Sequence, residues 1–186
     1  AALTLGSNIF VGGDFKTLDV VGTLSGTALA ANFDSVLVRG GDMDATLFAT
    51  DSIGDVTVVN GSLTGTLIAQ TGSIGDINAT NLGGSAIDGA TIFATANLGT
   101  ITAVSTGGTT INNSDIQVGG TIGAISARAY DNSAAIDDLS IVAPAISNIT
   151  ASSAFGTAIT SITLQSTVGS VSGISATGYK GGITGG

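Results

Sequence analysis

A six-residue pattern recurs along almost the whole chain of 186 residues, and this repetition limits the possible folds more than any other feature. The pattern reads Φ-x-x-Φ-x-Φ, where Φ is an apolar residue or alanine. A first series of copies consists of FKTLDV (15), FDSVLV (33), IGDVTV (53), IGDINA (74), LGTITA (98), IGAISA (122), ISNITA (146) and VSGISA (171). Their starts lie 18 to 25 residues apart. Self-similarity at such a period is typical of solenoids and other repeat folds.

A second series of copies alternates with the first. It consists of LSGTAL (24), MDATLF (43), LTGTLI (63), IDGATI (87), INNSDI (111), IDDLSI (136) and ITSITL (159). GSNIFV at position 6 reads as a degenerate first member, and ITGG at position 183 as a truncated last one. The fourth letter is less strict here, because it is often small and polar (Thr27, Thr46, Thr66, Ser114).

The last three letters of the pattern, Φ-x-Φ, have the period-two alternation of a β-strand. Gly, Ser, Asn or Asp follows each copy, as turns require. A strand this short needs stacked neighbours, about 4.8 Å apart, to bury its apolar side. The first series therefore predicts two inward columns: Leu18, Val36, Val56, Ile77, Ile101, Ile125, Ile149 and Ile174; and Val20, Val38, Val58, Ala79, Ala103, Ala127, Ala151 and Ala176.

The fold that fits is all-β: a parallel β-solenoid, wound as a right-handed β-helix, with about eight coils of 18–25 residues in a single domain, 1–186. We assign 1–14 to an N-terminal strand and first half-coil, 15–176 to regular coils and 177–186 to an unfinished last coil. The second column changes from Val to Ala where the repeat lengthens, which predicts a short third side in the later coils. A β-sandwich has similar strand spacing, but its strands do not repeat their own letters.

Composition excludes several functional classes. The net charge is −9 with four Lys and Arg residues, whereas nucleic-acid binding needs clustered cations. The chain has no Cys for a disulfide framework and no His for base catalysis. Its apolar residues are dispersed, and no run approaches the ~20 residues that span a bilayer. We therefore expect a protein that is not an enzyme, has no resident cofactor and does not span a membrane.

One group of oxygen-bearing residues requires a choice between interpretations. Asp88, Asn112 and Asp137 occupy the second position of consecutive second-series copies, and Asp138 follows directly. Stacked oxygen ligands can bind Ca²⁺. Carboxylates on neighbouring coils can also act as acid and base in glycoside hydrolysis. The simplest interpretation is turn chemistry, because Asp and Asn bond their own backbone and tolerate left-handed conformations.

Two further patterns have both a functional and a structural interpretation. The outward position between the first-series columns gives one polar file: Thr57, Asn78, Thr102, Ser126, Thr150 and Ser175. Such a file is a flat ladder for ice or polysaccharide, or simply the composition that suits an exposed strand face. Tyr130, Phe155 and Tyr179 follow successive first-series strands, as a sugar platform or as packed loops.

The run IGDVTVVNGSLTGTLIAQTGSIGDINATN resembles the Gly/Thr-rich repeats of large extracellular bacterial β-helical proteins. These include adhesins, surface-layer-like proteins and fibre-forming proteins. The resemblance is one of repeat style and covers most of the chain. It implies a secreted or cell-surface structural role and supplies no catalytic residues.

The ends of the sequence suggest how such a solenoid associates. No capping-helix pattern is present, the tail TGYKGGITGG stops in mid-coil, and the head AALTL alternates like a strand. Uncapped coils expose unpaired backbone groups and an apolar cross-section. We therefore expect copies of the chain to join head to tail, through Leu3, Leu5, Ile9, Phe10, Val11, Tyr179 and Ile183. The alternative is a glycan- or Ca²⁺-binding module cut from a larger bacterial adhesin.

Overall fold

The structure is a computed structural model that describes residues 8–179, and every regular element in that range is a β-strand. The strands are β1 Ile9–Phe10, β2 Leu18–Val21, β3 Leu24–Ala30, β4 Phe33–Arg39, β5 Met43–Ala49, β6 Ile53–Val59, β7 Thr66–Ala69, β8 Ile77–Asn81, β9 Ile87–Asp88, β10 Thr91–Ala94, β11 Ile101–Ser105, β12 Ile111–Val118, β13 Thr121–Ala129, β14 Ile136–Ala143, β15 Ala145–Ser153, β16 Ile162–Ser166 and β17 Ile174–Gly178. Within residues 8–179, no helix is long and apolar enough to cross a bilayer.

The strands form two parallel sheets, and the chain alternates between them. Sheet A has the order β1-β3-β5-β7-β10-β12-β14-β16, with β9 beside β12. Sheet B has the order β2-β4-β6-β8-β11-β13-β15-β17. Each winding therefore contributes one main strand to each sheet, which confirms the parallel β-solenoid. About six windings have neighbours on both sides, slightly fewer than the eight coils predicted, because the first and last strands of each sheet are paired on one side only.

The two inward columns of the first series are confirmed. Ile77, Ile101, Ile125 and Ile149 are partners in consecutive strands of sheet B and are at most 1% exposed. The column from Val20 to Ala151 is at most 2% exposed. Burying one such aliphatic side chain contributes roughly 1.5–3 kcal/mol. Repetition of the same residue type thus builds a continuous apolar core between the sheets.

The second series follows the six-letter pattern only in the longer windings. In the first three windings of this series the strands alternate simply, so Ala28, Leu47 and Leu67 point inward. The sixth letter of LSGTAL, MDATLF and LTGTLI consequently lies on the outer face of sheet A. From residue 87 onward each winding contains one extra residue in its second-series copy. Because of this residue, the side chain at the fourth letter of the pattern points into the core again.

That extra residue lies in a left-handed bend. Gly89, Asn113 and Asp138 have φ of 69°, 44° and 51°. They occupy the third letter of IDGATI, INNSDI and IDDLSI on consecutive windings. Asn and Asp adopt this conformation more readily than other non-glycine residues. The bend lets β12 and β14 keep parallel register on both sides of it.

The other added residues of the longer windings lie in loops between sheet B and sheet A. Residues 8–179 form two sheets, so the predicted third side is wrong. The loops stack on one another instead: the Thr106 amide donates to the Asn81 carbonyl at 3.1 Å. Across one loop, the buried hydroxyls of Ser105, the last residue of β11, and Thr110 are 2.8 Å apart. The added residues thus form hydrogen-bonded loops where a third strand was predicted.

Candidate functional site

Three of the candidate calcium residues lie on neighbouring windings as predicted, and two of them are hydrogen-bonded to each other. Asp88, Asn112 and Asp137 are partners on three consecutive windings of sheet A. The Asn112 side-chain amide donates to Asp88 Oδ1 at 2.8 Å. Asp138 sits in the left-handed bend described above. The described part of the chain holds no group of three or more acidic, His or Cys side chains that could hold a metal ion. This geometry favours the turn interpretation.

The polar file on sheet B has the predicted register, from Thr57 through Asn78 to Ser175. The neighbouring outward file is mixed in character. It contains Arg39, which contacts the Asp19 carboxylate at 2.7 Å, and Arg128, which lies 4.9 Å above the Tyr130 ring. A charged and irregular second file makes this face a poor template for a regular lattice.

The three aromatic residues that follow successive first-series strands do not contact one another. Tyr130, Phe155 and Tyr179 are 46%, 55% and 80% exposed, and no ring contact joins them in the described chain. The stacked ring pair lies near the other end, where the Phe15 and Phe33 centroids are 5.9 Å apart.

Sequence reasoning missed a polar ladder that runs up the solenoid, which we call the acceptor ladder. It consists of Asp14, Asn32, Ser52, Ser73, Asn97 and Thr121, each placed one residue before a first-series copy. Four times, the side-chain oxygen of one winding accepts the backbone N–H of the next, at 2.9 to 3.3 Å. The signal was visible in the sequence, because six consecutive copies are preceded by Asp, Asn, Ser or Thr.

In a second, shorter ladder, Asp carboxylates accept backbone amides of the next winding. Asp55 Oδ1 accepts the Asp76 amide at 3.0 Å, and Asp76 Oδ1 accepts the Thr100 amide at 2.8 Å. A short side chain reaches the backbone one winding away without a flexible stem. The Thr100 hydroxyl and then its amide lower the pKa of Asp76, because both donate to the ionised carboxylate. The described carboxylates of this ladder are thus structural acceptors.

Glycine at the second letter of the first series brings neighbouring windings into contact. A Cβ on Gly54 would collide with the Asp34 carbonyl oxygen, and one on Gly75 would lie 2.8 Å from the Gly54 carbonyl carbon. Gly99 and Gly123 repeat the arrangement on the next two windings. The lack of side chains leaves a surface groove of about 410 Å³ beside Phe33, Ile53 and Ile74.

The outer face of sheet A carries two regular files of side chains. One file consists of Thr27, Thr46, Thr66 and Thr91, which are partners on four consecutive windings. Two residues further along each strand lies an apolar file: Phe10, Leu29, Phe48, Ile68 and Phe93. We call these two files together the Thr/apolar face. Phe10 is 68% and Phe93 39% exposed, although both are large and hydrophobic.

The last winding differs from those below it. Ile149 is fully buried, but its partner Ile174 is 43% exposed, and Ile162 and Leu164 in β16 are only partly buried. In the described chain, β16 and β17 have a neighbour on one side only. Residues 139–179 contain no charged side chain. Among residues 8–179, the last winding therefore leaves part of its apolar column uncovered and carries no charged side chain.

Of the predicted assembly residues, Ile9, Phe10 and Val11 lie in or beside β1, the first strand of sheet A. The Val11 amide donates to the Leu29 carbonyl at 2.9 Å. Tyr179 follows β17. Leu3, Leu5 and Ile183 lie outside the described residues.

Comparison with known proteins gives no relative for this chain: no family model, no curated protein and no solved structure matches it.

Proposed function

We propose that this chain is a non-enzymatic, extracellular structural protein that associates end to end with copies of itself into a filament or surface assembly. The observation that carries the proposal is the exposure of the inward column at the last winding, where Ile174 is 43% exposed above a buried Ile149. Another winding of the same pattern would bury it.

The two described strands at the edge of the last winding, β16 and β17, lack two of the devices that prevent strand addition. Natural edge strands carry charged residues, proline or bulges that block pairing with another chain. In β16 and β17 there is neither a charge nor a proline, and their main-chain groups on the outer side have no strand partner among residues 8–179. Strand addition gives main-chain hydrogen bonds, and the repeat supplies matching side chains.

At the opposite end, both cations of the first windings form ion pairs with carboxylates of the same chain. Lys16 lies 2.9 Å from Asp34 and 3.5 Å from Asp14, and Arg39 pairs with Asp19. Joining two different ends of one molecule is a heterologous contact, which repeats without closing and produces a filament.

A charged substitution at the last winding tests the proposal. Ile174→Lys places a cation in the column that a second copy would cover, so the folded protein should remain as single particles. Val168→Lys is the matched control, because Val168 is 87% exposed and lies in a loop outside β16 and β17. Electron microscopy and light scattering measure the outcome. Filaments of Ile174→Lys as long as those of the control would contradict the proposal.

Deletion of residues 1–5 tests the other end of the same contact. This variant should stay folded by circular dichroism and fail to assemble. The competing function, a glycan- or Ca²⁺-binding module of a longer adhesin, predicts discrete particles for the unmodified chain. Light scattering of the unmodified chain therefore separates the two functions.

A further inference from the structure

The Thr/apolar face is an exposed surface that neither the core nor the proposed end-to-end contact uses. We propose that it binds a neutral β-1,4-linked glucan chain of the cellulose type, lying along the solenoid axis. This binding function is independent of filament formation.

The apolar file has an alternation that suits such a ligand. Phe10, Phe48 and Phe93 occupy every second winding, with Leu29 and Ile68 between them. At about 4.8 Å per winding, aromatic rings recur roughly every 9.6 Å. A β-1,4-linked chain presents the same ring face once in every two sugars, at a similar repeat. Each phenylalanine can therefore pack against the apolar C–H face of an equivalent sugar.

The second file supplies hydroxyl groups beside the rings. Thr27, Thr46, Thr66 and Thr91 lie two residues before the apolar residues of the same strands. Two residues along a strand correspond to roughly 6.8 Å, about the width over which ring hydroxyls project sideways. Threonine hydroxyls both donate and accept hydrogen bonds. The threonine hydroxyls can therefore hydrogen-bond to the free hydroxyl groups of a glucan, and a sugar with bulkier substituents at those positions would fit less well.

Charge and area favour a polysaccharide over a protein partner. From Phe10 to Phe93 no member of either file is charged, although the chain carries a net charge of −9, and the Thr file reaches its first carboxylate, Asp115, one winding later. This stretch therefore suits an uncharged ligand. The face covers roughly 300 Å², from five windings and two files at strand spacing. A stable protein interface needs about 800 Å² on each partner. A linear chain needs only a narrow, flat surface.

A recess marks the end of the aromatic file. A groove of about 250 Å³ beside Phe93 is lined by Gln117, Val118 and Val142. The Gln117 amide nitrogen donates to Asp115 Oδ2 at 3.0 Å, and Gln117 is the strand partner of Phe93 on the next winding. A sugar ring stacked on Phe93 would have this amide at its edge.

Adsorption to microcrystalline cellulose tests the proposal, with tubes lacking polysaccharide to correct for self-association. The unmodified chain should bind, and Phe48→Ala/Phe93→Ala should bind at least about tenfold more weakly, since aromatic anchors carry most of the energy of such surfaces. Phe155→Ala is the matched control, because Phe155 is 55% exposed but lies in a loop between β15 and β16. Thr66→Asp, which adds a charge to the hydroxyl file, should also weaken binding.

Three results would overturn the proposal: no adsorption of the unmodified chain, equal losses in the double variant and the Phe155→Ala control, or preferential adsorption to chitin over cellulose. Thermal unfolding of each variant checks that the solenoid is intact. Because both Phe48 and Phe93 point away from the core, we expect their substitution to leave filament formation unchanged.

Discussion

The interior windings and the last winding use nearly the same six letters but reach different states. ISNITA buries Ile149 completely, whereas VSGISA one winding later leaves Ile174 43% exposed. The residue type is identical, so the difference comes from the number of neighbouring windings. Stability in a solenoid is thus a property of contacts between repeats, with each repeat contributing little alone.

The side-chain ladders also differ between the interior windings and the last winding. The acceptor ladder runs from Asp14 to Thr121 and meets Ala145 at the next equivalent position, which has no side-chain acceptor. The second ladder ends as well, because the letter occupied by Asp76 in one winding is Gly173 in the last. Interior windings are therefore joined by both ladders as well as by the main chain, whereas neither ladder reaches the last described winding, where the Ser166 hydroxyl donates to the Pro144 carbonyl at 2.7 Å.

The largest expected difference in stability between the interior and the last winding comes from a cavity in the buried interior column. Ile125→Ala should lower the free energy of unfolding by about 2–5 kcal/mol, because rigid windings on both sides prevent collapse around the void. Ile174→Ala should cost less than half as much, since that side chain is already 43% exposed. Urea unfolding of the two variants measures the difference. Equal losses would mean that the last winding is covered as completely as the interior.

The sequence predicts the first-series columns because their residues have the same structural role on every winding. Ile77, Ile101 and Ile125 repeat in the same phase, and the structure stacks them in register. A side chain that points into a shared core is held to one type by packing. Periodicity alone is then enough to identify both the strand and its buried side.

The second series is harder to interpret because apolar residues lie on both faces of its strands. Leu47 is buried and Phe48 next to it is exposed to solvent in part, so the letters alone do not show which of them points inward. The alanines that end the strands, such as Ala49 and Ala69, are the better guide, since they recur at a fully buried position. Once the alanines are known to point inward, the residues of the Thr/apolar face are known to point outward. The face could not be predicted without that information.

The calcium candidates show a different limit. Sequence spacing placed Asp88, Asn112 and Asp137 on adjacent windings correctly. Spacing does not reveal whether the oxygens converge on an ion or bond one another. Asn113 and Asp138, which have left-handed φ values, are the inserted residues of their windings. Only the register between windings identifies the inserted position.

A smaller effect concerns the close approach between windings. Gly54→Ala should destabilise the chain by about 1–3 kcal/mol, because its Cβ would collide with the Asp34 carbonyl oxygen of the winding below. Gly173→Ala in the last winding should be nearly neutral, since its Cβ would meet only the Asn148 side chain, at 3.3 Å. Thermal unfolding of both variants measures the contrast. A loss for Gly173→Ala as large as that for Gly54→Ala would show that the last winding packs as tightly as the interior.

The smallest expected effect is the pH dependence of the second ladder. The pKa of Asp76 is lowered in the folded chain, first by the Thr100 hydroxyl and then by its amide. A carboxyl whose folded pKa lies below its unfolded value stabilises the fold above the unfolded value, and this contribution is lost as the pH falls through the folded pKa. Asp76→Asn should therefore be less stable than the unmodified chain at neutral pH, and the gap should narrow in acid below the ordinary Asp value of 3.8. Asp44→Asn is the control, because the Asp44 carboxylate accepts from the Thr64 hydroxyl at 3.5 Å and from no backbone amide in residues 8–179. Urea unfolding at several pH values measures the gap, and a gap that stays constant between neutral and acidic pH would exclude Asp76 as an ionised link between interior windings.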